Sequence, residues 1–374
     1  MQLAVNVACT LLIYGLNQVC ASFLTEVLRR NGDDNVVVSP FLFQEALMQL
    51  YAGAEGSTAK ELKHVLQLKG HGKERLLEEY VRQRGKTVVG THNIRIKMSN
   101  KLYAAKGMNI FHSYQQEVQK LFGSTVEFID FEQQKALKKI NVWVSQQTSL
   151  RLHKAIDEID PFNKLILVAV GYFQADWAQR FDKTETRQAD FVRPDGNIMV
   201  HMMHNQLELE LVRHHELDAT IFALPFSGLN FSMLVLLPHE ADGLAKLTRQ
   251  LAQSDTDPQH LLNNSERTVV QLFMPRFKFE YKIDLMGVGK RLGLKHIFES
   301  ANLQTMTAAS NLQLSSIWQT TGIVINEFVG SHYSANEIKL VARTALPTIN
   351  VNHPFIFYIK DNTNVYFAGR VSNP

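Results

Sequence analysis

Near the C-terminus, two apolar runs bracket a long stretch that no secondary-structure period explains. Gly322-Ile-Val-Ile-Asn-Glu327 opens it, and Val351-Asn-His-Pro-Phe-Ile-Phe-Tyr-Ile359 closes it, followed by Val365-Tyr-Phe-Ala-Gly-Arg-Val-Ser-Asn-Pro374. Both runs are rich in β-branched and aromatic residues and read as buried strands. Phe328 to Asn350, between them, shows little periodicity and carries Gly330 and Pro347 as punctuation. A compact domain seldom holds so long a loop unless the loop is functional.

The rest of the chain supplies a scaffold for that loop. Its 374 residues, 45% of them hydrophobic, are ample for a large core. Length alone allows two domains, but no linker, repeat or low-complexity tract divides the chain, so one domain is expected over 22–374. A formal net charge of +3 is too balanced to argue for nucleic acid or membrane.

The first half reads as helical. Thr25–Arg30, Gln44–Tyr51, Thr58–Gln67 and Tyr114–Leu121 have apolar residues at helical spacing. Glu132–Gln147 predicts a longer helix with Ile140, Val142 and Trp143 on its buried face. The second half turns to strands. Leu165–Phe173 is a continuous apolar run, as in a strand covered on both faces, and Phe231–Leu237 and Thr268–Met274 are similar. Leu285–Leu292 returns to helix, with Gly293 placed to end it. Helices followed by sheets give an α+β class.

Enzyme chemistry finds no foothold in this pattern. His201 and His204 flank two Met residues and His214 adjoins His215, but neither spacing is that of a zinc-binding helix. No Gly-x-Ser-x-Gly elbow raises a nucleophile, and no phosphate loop is present. Gly287-Val-Gly289 lacks the third glycine and the preceding strand of a dinucleotide site. No catalysis, metal or cofactor is expected.

The N-terminus points to export. Leu3–Leu16 is apolar around the whole helical circumference apart from Asn6 and Thr10, and Val19-Cys-Ala21 suits cleavage, so residues 1–21 read as a secretory signal. The competing reading is a structural first helix, and no Lys or Arg precedes the apolar run. Cys9 and Cys20, the only cysteines, both lie inside the candidate signal, so a mature chain would carry no disulfide. Asn263-Asn-Ser265 is a glycosylation acceptor pattern, and Asn230-Phe-Ser232 also fits but sits where a strand begins. Arg82, Arg84 and Lys86 form a small basic cluster that reads as a solvated loop.

Several pieces, in shared order, resemble the serpin family. They include Ser39-Pro-Phe-Leu-Phe43, Gly53-Ala-Glu-Gly-Ser-Thr-Ala-Lys-Glu-Leu62, Ser99-Asn-Lys-Leu-Tyr103, Phe128-Ile-Asp-Phe131 and Ile140-Asn-Val-Trp-Val-Ser-Gln-Gln-Thr148. Tyr172-Phe-Gln-Ala-Asp-Trp177, Leu224–Pro238 and Met274-Pro-Arg-Phe-Lys278 continue the series, which covers about Leu24 to Pro374. The resemblance implies a large central, mostly antiparallel sheet, two smaller sheets, about nine helices and an exposed reactive-centre loop. It implies a monomer that offers the loop to a serine protease as bait. Some serpins also use a basic helix for glycosaminoglycans, which gives the Arg82 cluster a second reading.

In the family the attacked residue lies about eleven positions before the Pro of a Pro-Phe pair. That Pro is Pro354 here, which puts the bait at Arg343-Thr344, with Lys339 a second basic candidate. An Arg there implies a trypsin-like target. After acylation, family inhibitors insert the cleaved loop into the central sheet as a new strand and distort the tethered protease. Glu327 stands at the family's hinge glutamate and Arg276 at its basic partner, which predicts an ion pair at the top of the sheet.

The hinge then departs from the family. Phe328-Val-Gly-Ser-His-Tyr333 replaces a run of small residues, and the set turned inward is Gly330, His332, Ser334, Asn336 or, one register over, Ser331, Tyr333, Ala335, Glu337. Either register buries a large or polar group, at roughly 1–3 kcal/mol for an unpaired one. The polar cluster around which the family opens its sheet is altered too. Its Asn falls at Ala169, its His at Gln319 and one Ser at Leu42, while Ser39 remains. Two functions follow: a secreted inhibitor of a trypsin-like protease, or a non-inhibitory carrier, signalling protein or decoy substrate.

Overall fold

The structure, a computed structural model, describes residues 19–70, 72–84, 94–228, 230–253, 257–309, 312–327 and 346–374. Helix α1 occupies residues 19–28. Eight further α-helices follow: α2 (Pro40–Gly53), α3 (Gly56–Val65), α4 (Lys73–Arg84), α5 (His112–Phe122), α6 (Gln134–Gln147), α7 (Leu244–Gln253), α8 (Met286–Leu292) and α9 (His296–Glu299). The strands are β1 (Val36–Val38), β2 (Ile94–Ala105), β3 (Val126–Ile129), β4 (Leu165–Ala175), β5 (Arg187–Phe191), β6 (Ile198–His214) and β7 (Ala219–Pro225). Then come β8 (Ser232–Pro238), β9 (Glu266–Pro275), β10 (Phe277–Asp284), β11 (Ser316–Ile325), β12 (Thr348–Asn350), β13 (Phe355–Lys360) and β14 (Val365–Val371).

Among the described residues the strands form two hydrogen-bonded sheets. The central one has five strands in the order β10-β11-β4-β2-β3. Its pairing is mixed: β10–β11 and β2–β4 are antiparallel, whereas β11–β4 and β2–β3 are parallel. The two smaller sheets expected from the sequence are continuous here as one nine-stranded sheet. The 17-residue β6 joins them, pairing with β9 along one edge and with β5 and β7 on the other.

Strand β4 is buried at every residue, as its unbroken apolar run requires. Leu165, Leu167 and Ala169 share a core with α2, while Ile166, Val168 and Val170 pack under α6. Farther along, Phe173 enters the core between the sheets with Met203, Phe222 and Phe357. Helix α2 is buried along its whole length, mostly apolar but with Gln44, Glu45 and Gln49 buried among its apolar residues. Its start is fixed locally: Pro40 occupies the first turn, and the Ser39 Oγ accepts the Leu42 N–H at 3.1 Å.

Helix α6 differs from its sequence reading. The buried residues are Ala136, Ile140 and Val144, Trp143 is only partly buried, and Val142 is 44% exposed. The spacing 136-140-144 keeps one face, and residue 142, two positions on from Ile140, turns away from it.

Candidate functional site

Strand β11 ends at Ile325, and the next two residues are held from three sides. Trp177 is 2% exposed, lies face to face with Phe226 at 4.5 Å, and donates from its indole nitrogen to the Asn326 carbonyl at 2.8 Å. Glu327 is buried, and its Oε1 accepts a hydrogen bond from the Thr186 hydroxyl at 2.7 Å. Arg276 Nη1 lies 3.8 Å from the same oxygen, on a side chain that keeps about a third of its surface exposed. Arg276 follows Pro275, the last residue of β9, and its N–H donates to the His201 carbonyl at 3.0 Å.

Thr186 was not in the sequence reading. It reaches Glu327 because Asp182 caps a short 3-10 turn, Lys183–Glu185, through the Thr184 N–H at 2.8 Å. That Asp-initiated turn was the available local signal. Nothing local names the partner, which lies 141 residues away in sequence.

Across the middle of the central sheet, Asn100, Ala169 and Gln319 stand in one row, paired through the backbones of β2, β4 and β11. Gln319 is fully buried and clamps the backbone of one residue on both sides: the Ser39 N–H donates to its Oε1 at 2.7 Å, and its Nε2 donates to the Ser39 carbonyl at 3.0 Å. The Thr321 hydroxyl adds a long contact to the same Oε1 at 3.4 Å. The Ser39 hydroxyl donates to the Tyr366 carbonyl at 2.6 Å. Ala169 brings only a methyl group. Asn100 donates from Nδ2 to the Leu42 carbonyl at 3.2 Å. Leu42 fits against Gly171, where an added Cβ would lie 3.2 Å from Leu42 Cδ1.

The two arginines of the basic cluster lie on a helix, not in a loop. Arg82 and Arg84 end α4, and Arg82 pairs with Glu79. Arg84 is partly buried, its side chain 10% exposed and 3.0 Å from Glu45 of α2, with its guanidinium 5.2 Å from the Phe41 ring. Burial pushes the Glu45 carboxyl up to about 7 even though the Arg84 charge opposes the shift. Arg84 is therefore spoken for by the core, and Lys86 lies outside the described residues.

The other expected residues are placed as follows. Asn263 and Asn230 are both exposed, Asn230 two residues ahead of β8. His204 stacks on Phe273 at 4.5 Å, and His214 Nδ1 accepts the Leu217 N–H at 3.3 Å. Arg343, Thr344 and the hinge residues Phe328, Val329, Gly330, Ser331, His332 and Tyr333 lie outside the described residues, as does Cys9. Val19, Cys20 and Ala21 belong to α1 and are buried, with Cys20 Sγ accepting from Gln44 Nε2 at 3.2 Å. No helix among the described residues is long and apolar enough to cross a membrane.

β4 and β11 meet at one seam of the central sheet. β4 and β11 pair directly from Ser316–Ile166 to Val324–Gln174, so no strand stands between them.

The family model described as Serpin (serine protease inhibitor) matches residues 14–374. The chain belongs to the serpin family. Human Serpin B3 is 28% identical over 384 residues, covering 94% of this chain and 96% of that protein. The structure of Serpin48, a highly specific serpin of the insect Tenebrio molitor, superposes with a TM-score of 0.87 at 27% identity, covering 97% and 98% of the two chains. Human thyroxine-binding globulin, solved in complex with thyroxine, shares the fold with a TM-score of 0.86 at 23% identity, covering 97% and 99%.

Proposed function

We propose that this serpin inhibits a trypsin-like serine protease, with Arg343-Thr344 as the bait bond and insertion of the cleaved loop between β4 and β11 as the trapping step. The parallel β4–β11 pair carries this reading. A strand that folds back from Glu327 would run antiparallel to β11, and so antiparallel to β4 as well. It would replace one slanted parallel ladder with two antiparallel ones and add a full strand of backbone hydrogen bonds. That difference supplies the driving force for dragging an ester-linked protease. The hinge latch of Thr186, Arg276 and Trp177 on Asn326–Glu327 would hold the loop out until cleavage.

The same reading sets the protein to work outside the cell, with residues 1–21 directing export and glycans accepted at Asn263 and Asn230. Processing after Ala21 would remove Val19, Cys20 and Ala21 from α1 and leave Phe23, Leu24 and Val27 to hold it. N-terminal sequencing of the exported chain reads the boundary: Ser22 as first residue is expected, and an earlier start would keep those three residues in the fold.

A second reading, a non-inhibitory carrier, signalling protein or decoy substrate, is favoured by Gln319 and Ala169. An amide clamped on Ser39 and a methyl group replace the family's polar pair. A cavity of about 570 Å³ lined by Phe231, Leu262 and the buried Lys360 would be the place to look for a ligand.

Incubation with trypsin, followed by denaturing electrophoresis and mass spectrometry, separates the two. A band at the summed mass with cleavage after Arg343 is expected. Clean loop cleavage with fully active trypsin, repeated across a panel of trypsin-like proteases, would contradict inhibition.

A further inference from the structure

We propose that opening of the central sheet divides its polar row unevenly: Gln319 stays with α2, and Asn100 is the positioning residue whose hydrogen bond must part. The inference rests on the reading above that β4 and β11 separate.

The bonds assign each strand to a side. Gln319 holds both backbone polar groups of Ser39, its N–H at 2.7 Å and its carbonyl at 3.0 Å. Ser39 holds the Tyr366 carbonyl of β14, and β1 just before it pairs with β14 from Val36–Arg370 to Val38–Ala368. β11, the start of α2, β1 and β14 are thus tied into one body by side-chain and ladder hydrogen bonds. On the other side of the seam, the Ala169 methyl group gives β4 no hydrogen bond to α2. The tether there comes from β2, through Asn100 Nδ2 on the Leu42 carbonyl at 3.2 Å. The Asn100 carbonyl in turn accepts from the Ser124 hydroxyl at 3.0 Å, just ahead of β3.

The two amides are unequally committed. Gln319 uses both its oxygen and its nitrogen. Asn100 is 5% exposed, yet its Oδ1 has no hydrogen-bond partner. When β4 moves away from β11, the Gln319 bonds move as a unit with α2, and the single Asn100–Leu42 bond is stretched. Removing a bond lost on opening favours both the opening and global unfolding, whereas removing a bond kept in the open state favours only global unfolding.

Hydrogen–deuterium exchange of the intact protein tests this without requiring any protease. Exchange of amides in Leu165–Ala175 and Ser316–Ile325 reports opening of the β4–β11 seam, and exchange in β7 and β8 reports the rest of the fold. Asn100→Ala is expected to speed exchange at the seam by about five-fold, the loss of one net hydrogen bond, and to speed β7 and β8, which open only with the whole fold, by no more than that. Gln319→Ala is expected to lower the unfolding midpoint and speed β7 and β8 while leaving exchange at the seam unchanged. Gln319→Met, which keeps the side-chain length, replaces it if the alanine variant does not fold. Faster exchange at the seam in the Gln319 variant, or an unchanged seam in Asn100→Ala, would each overturn the assignment. Trypsin trapping measured on the same samples reads the inhibitor proposal separately, because the exchange result stands whether or not a complex forms.

Discussion

The Thr186 hydroxyl sits 2.7 Å from Glu327 Oε1, whereas Arg276, the partner that charge alone suggests, stands off at 3.8 Å with its side chain partly in solvent. A buried hydrogen bond to a charged group is worth about 1.5–3 kcal/mol. A solvent-screened ion pair is worth about 1 kcal/mol or less. Thr186→Val is therefore expected to lower stability by about 1.5–3 kcal/mol, and Arg276→Ala by less than about 1 kcal/mol, in urea unfolding. Equal or reversed costs would show that the charge, not the hydroxyl, anchors the end of β11.

Glu45 makes stability depend on pH. Its folded carboxyl is raised from 4.5 to about 7, so the folded state holds a proton that the unfolded chain releases. The corresponding stabilisation is complete below about 4.5 and is lost as pH rises through about 7, by up to about 3 kcal/mol. Glu45→Gln, which cannot ionise, should flatten that decline in unfolding midpoints measured from pH 5 to pH 8. A decline of unchanged size in the variant would place its origin elsewhere.

Gly171 should tolerate no side chain. A Cβ there would meet Phe367 at 2.9 Å, Thr321 at 3.1 Å and Leu42 at 3.2 Å. Gly171→Ala is expected to cost about 1–3 kcal/mol by overpacking. Leu42→Ala in the same chain should recover part of that loss, as a double-mutant cycle would measure. Strict additivity would mean that α2 shifts to make room instead.

The elements that carry the site were legible where periodicity is strong. β4 announced itself as an unbroken apolar run, and β11, β13 and β14 as β-branched and aromatic runs bracketing the loop. Helix α4 was not legible, because Arg82 and Arg84 read as solvated charge. Arg84 instead folds back onto Glu45, a pairing that only tertiary packing creates. Val142 was misplaced because an apolar residue two positions along a helix from Ile140 faces away from it. At the site, Arg276 and Glu327 were legible only through the resemblance to the serpin family, while Thr186 was missed because its partner is remote. Ala169 and Gln319 could be named as departures, but a residue type does not tell what its amide will bind. The clamp on Ser39 and the tether at Asn100 emerge only from the packed strands.

That β4 and β11 part to admit a sixth strand is tested most directly by the unfolding temperature of the chain before and after cleavage within 328–345. Insertion adds a strand hydrogen-bonded on both edges, so the cleaved chain should unfold well above the intact one, by more than roughly 10 °C on a scale of about 2–4 °C per kcal/mol or less for a chain this long. An unchanged or lower unfolding temperature after complete cleavage would contradict insertion, and with it the trapping mechanism.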